Sequence, residues 1–439
     1  MTAIVDVTGR QVLDSRGRPT VEVDVRLADG TRGRASVPSG ASTGSFEAHE
    51  LRDGDPRVFA GLGVQTAVAH VRTDIDAALH GRNADDQLGI DTLLRELDGS
   101  PQLTRLGANA VLGASLAVCR AAASSSGQPL YRRIAQLAGV DAPLLPLPMV
   151  NIFSGGLHAN SGMDVQDFLV IPVGADSMWE AIHAAARVRT AAIQVCADRG
   201  LPTLLADEGG LAPGCRTGGD ALALLVEAIE RAGLRPGEDV AVGIDVAAHG
   251  LWQPDDGGYR LDREGVYRSS AEMIEMVAGW VADFPVVSVE DPLDEEDWSG
   301  WTELTSRLGN RVRLIGDDLF TTNEERLRKG ITTGCANGVL IKVNQNGTLS
   351  GTLEVMRTAR EAGYVPVVSA RSGETEDDFL ADLAVGTGAG QIKIGSLRTS
   401  DRLAKYNQLL RIAEDETLAF AGEAATGLRR PSSTAGGQR

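Results

Sequence analysis

The chain has 439 residues, of which 43% are hydrophobic and 23% charged, as in an ordinary soluble globular protein. This length favours two domains over one. The formal net charge of -18 argues against nucleic acid and anionic membranes as partners, because both bind basic surfaces. The charge does not exclude a small anionic substrate, since a few convergent lysines and arginines can dominate one cleft.

The cysteine pattern and the N-terminal stretch favour a cytoplasmic protein. The four cysteines lie far apart in the sequence and form no CxxC pair, which predicts reduced structural thiols. The first ten residues, MTAIVDVTGR, lack the basic segment and the apolar core of a signal peptide. No apolar run is long enough to cross a bilayer. We therefore expect a cytoplasmic protein without a membrane span.

The N-terminal region predicts strands followed by a flexible loop. Residues 3–35 alternate between apolar and polar side chains around an Asp-Gly turn, which is typical of an antiparallel meander. Residues 36–48 are rich in glycine and serine. We interpret them as a mobile lid in which Ser42 reaches a bound ion or phosphate. A plain surface loop is the alternative.

Helical periodicity from about residue 63 to residue 137 completes an α+β capping domain, which we place at residues 1–140. The proline-rich stretch APLLPLPMVN, residues 142–151, then leads into a second domain, which we place at residues 141–425. The remaining residues, 426–439, are rich in glycine, serine and proline, and we expect them to be disordered.

In the second domain, short β-branched runs alternate with longer segments of helical periodicity, which predicts a (β/α)-type barrel around a largely parallel sheet. Two polar residues of interest precede the regular alternation of strands and helices. His158 lies in a tight glycine turn, GGLHA, although an isolated histidine is more often structural. Glu208 ends the apolar run of LPTLLADEGG.

Charged residues stand at the C-terminal ends of the later apolar runs. In a (β/α) barrel, the catalytic residues lie at the C-terminal ends of the strands. The charged residues here are Asp245, Glu290, Asp317, Lys342, Arg371 and Lys393.

Three of these residues are carboxylates, and all-oxygen ligation suits Mg²⁺. Acidic residues also end strands simply as turn formers, but three in register make a metal site the better interpretation. Lys342 lies inside the apolar run LIKV, so we expect burial to lower its pKa and make it a general base.

The chemistry implied is abstraction of a proton next to a carboxylate, with a metal stabilising the doubly charged enediolate. Arg371, Ser372 and Lys393 on the last strands would hold a phosphoryl or carboxylate group.

At this point the sequence resembles the enolase (phosphopyruvate hydratase) family over about residues 3–415. The matching stretches include DSRGRPTVEV, VPSGASTGSFEA, SVEDPLDEEDW, LIKVNQ and RSGETED. The resemblance implies an N-terminal α+β domain on a (β/α)8-type barrel whose first strands are atypical. It also implies a hydro-lyase that works as a homodimer or octamer.

The resemblance implies two magnesium ions in each active site. Asp245, Glu290 and Asp317 correspond to the ligands of the first ion. Ser42 would help to hold the second ion when the lid closes.

The same resemblance assigns roles around the substrate. Lys342 corresponds to the base that takes the C2 proton, and Glu208 to the residue that assists departure of the 3-hydroxyl. Lys393 would bind the carboxylate end, and Arg371 and Ser372 the phosphoryl group. Two further residues would line the site: His158 and Gln166.

Three positions depart from the family pattern. Asp167 stands where enolases have a glutamate of the acid network, so its carboxylate is withdrawn by about 1.5 Å, one C–C bond. Ala370 stands where enolases have a histidine beside the phosphoryl clamp, and Ser154 where the family usually has asparagine. Misplacement on the scale of one bond can matter greatly in catalysis.

Because Ala370 lies beside the residues expected to hold phosphorus, we favour a paralogue that accepts a modified phosphoryl group. Such an enzyme would form carboxyphosphonoenolpyruvate from 2-phosphonoformylglycerate in phosphonate antibiotic biosynthesis. One alternative is a glycolytic enolase that converts 2-phosphoglycerate to phosphoenolpyruvate and tolerates the changes. The other is a non-catalytic binding protein on the same fold, since a fold does not guarantee a function.

Overall fold

The computed structural model describes residues 2–40 and 44–427. Ser42, and with it the centre of the expected lid, lies outside the described residues, as do residues 428–439 of the expected tail. The N-terminal domain consists of three strands followed by helices: β1 (Ile4–Leu13), β2 (Pro19–Leu27), β3 (Arg32–Ser36), α1 (Gln65–His70), α2 (Asp76–Leu79), α3 (Gln87–Asp98), α4 (Ala108–Ser125) and α5 (Leu130–Ala138).

The three strands form an antiparallel meander in the order β1-β2-β3, with the Asp-Gly turn between β2 and β3. The alternation of β2 buries Val21, Val23 and Val25 on one face. That face packs against α4, whose residues are almost all buried. Gly33 permits the close approach, because a Cβ there would lie 2.2 Å from the carbonyl oxygen of Ala117.

The second domain contains the remaining strands and helices. In chain order they are β4 (Leu144–Leu145), β5 (Leu147–Ser154), β6 (Asp167–Ile171), α6 (Met178–Asp198), α7 (Gly218–Arg231), β7 (Ala241–Asp245), β8 (Trp252–Gln253), β9 (Gly258–Leu261), β10 (Val266–Arg268), α8 (Ser270–Asp283), β11 (Val286–Glu290), α9 (Trp298–Leu308), β12 (Arg313–Gly316), α10 (Glu324–Thr333), β13 (Gly338–Ile341), α11 (Val343–Asn346), α12 (Leu349–Glu361), β14 (Val365–Ser369), α13 (Phe379–Gly386), β15 (Gln391–Lys393), α14 (Ser400–Ile412) and β16 (Ala419–Phe420).

Eight of these strands close a barrel in the order β11-β12-β13-β14-β15-β5-β6-β7. β6 runs antiparallel to both β5 and β7, and the other neighbours are parallel. Side chains such as Met149, Leu169, Ile315 and Leu340 fill the interior, so the barrel is a packed core and not a pore. The predicted fold class, an α+β cap on an eight-stranded barrel with atypical first strands, is confirmed.

A small separate sheet explains the long interval between the first two acidic strand ends. β8, β9 and β10 form a three-stranded antiparallel sheet in the segment between β7 and β11. The segment re-enters the barrel through α8, which begins with a capping box between Ser269 and Glu272. Within the described residues, no helix is both long and apolar enough to cross a membrane.

Candidate active site

The charged residues predicted at strand ends all lie at one end of the barrel. Each is the last residue of its strand or follows that strand within two positions: Asp245 (β7), Glu290 (β11), Asp317 (β12), Lys342 (β13), Arg371 (β14) and Lys393 (β15). Because these strands are parallel, their carboxyl ends meet at the same face, and the side chains converge there.

Most of the predicted residues line one cavity of about 30 Å³. The lining residues are His158, Gln166, Glu208, Asp245, Ala247, Asp291, Asp317, Asp318, Lys342, Ser369, Ala370, Arg371, Ser372 and Lys393. Asp167 and Glu290 contact this lining through His158 and Lys393.

Lys393 joins two of the predicted metal ligands. Its Nζ donates to Asp245 Oδ2 and to Glu290 Oε2, each at 2.7 Å, and all three side chains are buried. Burial lowers the pKa of Lys393, but Asp245 and Glu290 outweigh it, so the net pKa is raised well above its ordinary value. Burial and the neighbouring Asp245 raise the pKa of Glu290. Lys393 is therefore a buried ammonium held between two carboxylates.

Lys342 forms an ion pair with Asp317, whose Oδ1 also accepts from Gln345 Nε2 at 3.0 Å. The prediction that burial leaves Lys342 with a lowered pKa is wrong. Burial does lower the pKa, but the Asp317 carboxylate outweighs it and the net shift is upward. The sequence shows the apolar neighbours of Lys342 but not the carboxylate that faces it from the adjacent strand end.

The chemistry of the donors fits a hard divalent cation. Asp245, Glu290 and Asp317 offer only carboxylate oxygens, which Mg²⁺ prefers. Glu290 Oε1 is buried without a hydrogen-bond partner among residues 2–40 and 44–427, and a buried carboxylate oxygen of this kind calls for a cation. Asp317 also has a second set of acidic neighbours, Asp291 and Asp318, with ligand atoms within 4.8 Å of one another.

Sequence reasoning missed Asp291 and Asp318. Asp291 accepts from the backbone N–H groups of Asp317 at 3.0 Å and Asp318 at 2.7 Å, so it fixes the turn that presents Asp317. Burial and the adjacent carboxylates raise the pKa of Asp291, and they raise that of Asp318 to about 7. The acidic doublets in SVEDP and GDDLF were the available signal.

Glu47 is the third residue that sequence reasoning missed. The Arg371 guanidinium donates to Glu47 Oε2 at 2.8 Å and to Asn344 Oδ1 at 3.1 Å. Glu47 belongs to the segment 36–48 of the capping domain, so an arginine of the barrel that was predicted to bind an anion is paired across the domain boundary. Ser372, also predicted at the phosphoryl end, accepts from Arg16 Nη1 at 3.3 Å.

Hydrogen bonds hold Asp167, His158 and Glu208 in place on the other side of the cavity. Asp167 is fully buried and accepts from Ser154 Oγ at 2.6 Å, and its Oδ2 lies 2.9 Å from His158 Nδ1. Asn151 Nδ2 donates to Glu208 Oε2 at 3.0 Å. Burial opposes the imidazolium, but Asp167 and Glu208 outweigh it and raise the pKa of His158 to about 9.

The two remaining predicted residues also border the cavity. Gln166 Nε2 donates to Asp245 Oδ2 at 3.3 Å, so it belongs to the acidic end. Ala370 is buried, and its backbone N–H donates to the Lys393 carbonyl at 2.9 Å. Ala370 also lines the cavity, together with Arg371 and Lys393.

A capped eight-stranded barrel with an ionic site at the carboxyl ends of its strands defines a class of barrel enzymes. Comparison with known protein families identifies which class of barrel enzyme this is. The enolase C-terminal TIM barrel domain matches residues 142–427, and the enolase N-terminal domain matches residues 4–134. The chain belongs to the enolase family and is a hydro-lyase. This family uses Mg²⁺ and binds small phosphorylated substrates.

Proposed function

We propose that the protein catalyses the Mg²⁺-dependent dehydration of 2-phosphoglycerate to phosphoenolpyruvate. The observation that supports this most directly is the convergence of Lys342, Arg371 and Lys393 with the carboxylates of Asp245 and Asp317 in one cavity, where Lys393 also binds Glu290. A base, two anion-binding cations and a set of oxygen ligands are what elimination next to a carboxylate requires.

In this reaction Lys342 removes the proton on C2, and the 3-hydroxyl leaves as water from the side of Glu208 and His158. Lys342 must react as the neutral amine, so it must part from Asp317 first. A magnesium ion on Asp245, Glu290 and Asp317 would supply the positive charge that stabilises the enediolate.

The two ends of the substrate are bound by cations that already have carboxylate partners. Lys393 would take the carboxylate end in exchange for part of its contact with Asp245 and Glu290. Arg371 and Ser372 would take the phosphoryl group, and Glu47 must then release the guanidinium. Exchange of one anion for another keeps these buried cations paired throughout.

The residue at position 370 favours a second candidate, a substrate with a substituent on phosphorus. Ala370 is buried, lines the cavity and immediately precedes Arg371. A methyl group there in place of an imidazole leaves volume at the phosphoryl end for an extra group. A carboxyphosphono analogue of 2-phosphoglycerate, such as 2-phosphonoformylglycerate, has such a group.

The two candidates differ in a measurable specificity ratio. Purified protein is given each substrate with and without Mg²⁺, and kcat/KM is measured for both. Fast turnover of 2-phosphoglycerate with little of the analogue supports the first candidate, and the reverse supports the second. The variant Ala370→His should lower turnover of the analogue more than that of 2-phosphoglycerate, because the imidazole refills the space.

The same experiment also tests the non-catalytic alternative. That alternative predicts no turnover of either substrate and no rise in melting temperature when Mg²⁺ is added. A cation that binds only the folded chain must raise the melting temperature. Glu290→Gln removes one proposed ligand and should abolish that rise, whereas Glu275→Gln on the surface of α8 is the matched control.

A further inference from the structure

Two of the three departures from the family pattern form one cross-strand pair. Ser154 ends β5 and Asp167 begins β6, and the two residues are direct partners in the antiparallel register. Both side chains are fully buried, and Ser154 Oγ donates to Asp167 Oδ1 at 2.6 Å. Opposed side chains in such a pair are the nearest neighbours between strands. A change in the length of one is therefore felt directly by the other.

The second oxygen of Asp167 fixes the ring of His158. Asp167 Oδ2 lies 2.9 Å from His158 Nδ1, so the Nδ1–H donates to the carboxylate. This bond determines both the orientation of the imidazole and the nitrogen that stays available. The turn that holds His158 is tied to the neighbouring loop by a backbone bond from Asp207 N–H to the His158 carbonyl, at 3.1 Å.

The available nitrogen of His158 faces the residue expected to assist the leaving hydroxyl. His158 Nε2 lies 3.8 Å from Glu208 Oε1, and Asn151 holds the other oxygen of Glu208. His158 and Glu208 both line the cavity. Burial raises the pKa of Glu208, but His158, Arg402 and the lysines outweigh it, so the carboxylate is favoured. The pKa of His158 is raised, so His158 carries the proton in the pair that it forms with Glu208.

We infer that Ser154 and Asp167 are a matched pair of positioning residues that hold His158 with Nε2 toward Glu208 and the departing 3-hydroxyl. This inference rests on the proposed dehydration. In the step it describes, the C2–H bond breaks toward Lys342, the C2=C3 bond forms and the C3–O bond breaks. The oxygen leaves as water with a proton from the His158–Glu208 couple, which solvent then reprotonates.

The lengths of the side chains explain why the two residues differ from the family pattern together. The Asp167 carboxylate is withdrawn by about one C–C bond, about 1.5 Å, relative to glutamate, and at this position it bonds the imidazole of His158. A serine hydroxyl is short enough to satisfy its other oxygen. An asparagine–glutamate pair is the alternative arrangement that the family resemblance supplies.

A cycle of variants tests the coupling: Asp167→Asn, Asp167→Glu, Ser154→Asn and the double variant Ser154→Asn/Asp167→Glu. Asp167→Asn should lower kcat by about 10- to 100-fold, the usual effect of losing such a partner, with KM changed less than about threefold. Asp167→Glu alone should lower kcat by a similar factor. The double variant should recover kcat to within about threefold of the native enzyme, because the pair is replaced as a unit.

A buried aspartate away from the cavity controls for general destabilisation. Asp382 on α13 accepts from the Tyr131 backbone and from Gln408, and Asp382→Asn should leave kcat unchanged. A double variant no better than the product of its single changes would overturn the inference. So would full retention of kcat in Asp167→Asn.

A spectroscopic arm separates this inference from the proposed function, because it needs no substrate. In protein with labelled histidine, the bonded Nδ1–H of His158 should give a downfield proton resonance, assigned by its loss in His158→Gln. The resonance should vanish in Asp167→Asn and persist in Asp382→Asn. Its survival in Asp167→Asn would overturn the inference. A native enzyme without turnover would instead count against the proposed dehydration and refute the catalytic part alone.

Discussion

Lys342 shows how one contact reverses a local expectation. Its neighbours in the chain are apolar and bury it, which by itself lowers the pKa of an ammonium group. Asp317 faces it from the end of the preceding barrel strand and restores the charged form. The base of the proposed reaction is therefore held in its resting state by a carboxylate that also belongs to the proposed metal site. In the proposed reaction, binding of a metal ion to Asp317 and release of Lys342 from Asp317 are therefore linked.

Lys342→Arg should separate the charge of this residue from its basicity. Arginine keeps the positive charge beside Asp317, but its pKa is too high for it to accept the C2 proton. We expect kcat to fall by about 10²- to 10⁴-fold, as on loss of a general base, with the folded structure retained. The measurement is phosphoenolpyruvate formation together with a melting curve.

Lys329→Arg is the matched control, since Lys329 lies over the Trp298 ring on the outer face of α10. It should leave kcat unchanged. Native turnover in Lys342→Arg would exclude Lys342 as the base.

At the residue scale, sequence reasoning located strand-end positions but not their partners. Asp245, Glu290 and Lys393 could be predicted to converge because parallel strands end at a common face. The contact of Arg371 with Glu47 could not, because these residues are 324 positions apart and lie in different domains. Asp291 was missed for a related reason: its function is to bind backbone N–H groups of another turn, which no local pattern records.

At the scale of elements, the capping domain holds the turn that follows Lys342. The Arg95 side chain on α3 donates to the carbonyl oxygen of Asn346 at 2.9 Å and to its Oδ1 at 2.6 Å. Asn346 ends α11, which starts directly after Lys342. The arginine thus satisfies a helix-terminal carbonyl with a charged donor, an arrangement that stabilises a C-terminus. The contact joins the cap to the helix that follows the C-terminal end of β13.

Arg95→Ala should therefore affect both stability and turnover. Loss of charge-assisted bonds to partly buried acceptors should lower the free energy of unfolding by about 1–3 kcal/mol. A looser α11 should misplace Lys342 and lower kcat several-fold. Urea unfolding and steady-state kinetics measure the two effects.

The control for this element is Arg105→Ala. Arg105 also bonds the end of α3, through the carbonyls of Leu97 and Asp98, but makes these bonds within the cap. It should cost stability without lowering kcat. An equal loss of kcat in both variants would show that Arg95 acts only through the stability of the cap.

The alternation of strands and helices could be predicted from the sequence, but not every strand or its direction. The alternation of periodicities indicated the barrel, because buried parallel strands and amphipathic helices have different repeats. The inserted sheet β8-β9-β10 was not predicted, since its strands are two to four residues long and carry little periodic signal. The antiparallel β6 also depends on closure of the whole barrel, which a local pattern does not contain.

For the whole molecule, the dominant electrostatic fact is an excess of negative charge. The formal net charge is -18 at pH 7 with every histidine neutral, and each histidine that is protonated makes it less negative by one. Self-repulsion of that charge opposes the compact state. Protonated histidines that pair with carboxylates offset part of this negative charge and stabilise the fold, as His158 does with Asp167 and His249 with Asp294.

His249 offers a test of this effect away from the pair of His158 and Asp167. Its Nδ1 lies 2.7 Å from Asp294 Oδ2, and this hydrogen bond raises the pKa of His249 to about 9. A group with a raised pKa stabilises the fold fully below its unfolded pKa of about 6.5, and the stabilisation is lost as pH rises through 9.

The melting temperature should accordingly fall between pH 6.5 and 9.5, and His249→Gln should make that fall shallower. The side chain of His249 is 46% exposed, so solvent screening limits its share to less than about 1 kcal/mol. His80→Gln, at an exposed position in the cap, checks that the loss of an imidazole alone does not produce the change. An unaltered slope in His249→Gln would mean that the pair with Asp294 does not contribute to stability, and that the fall comes from other groups.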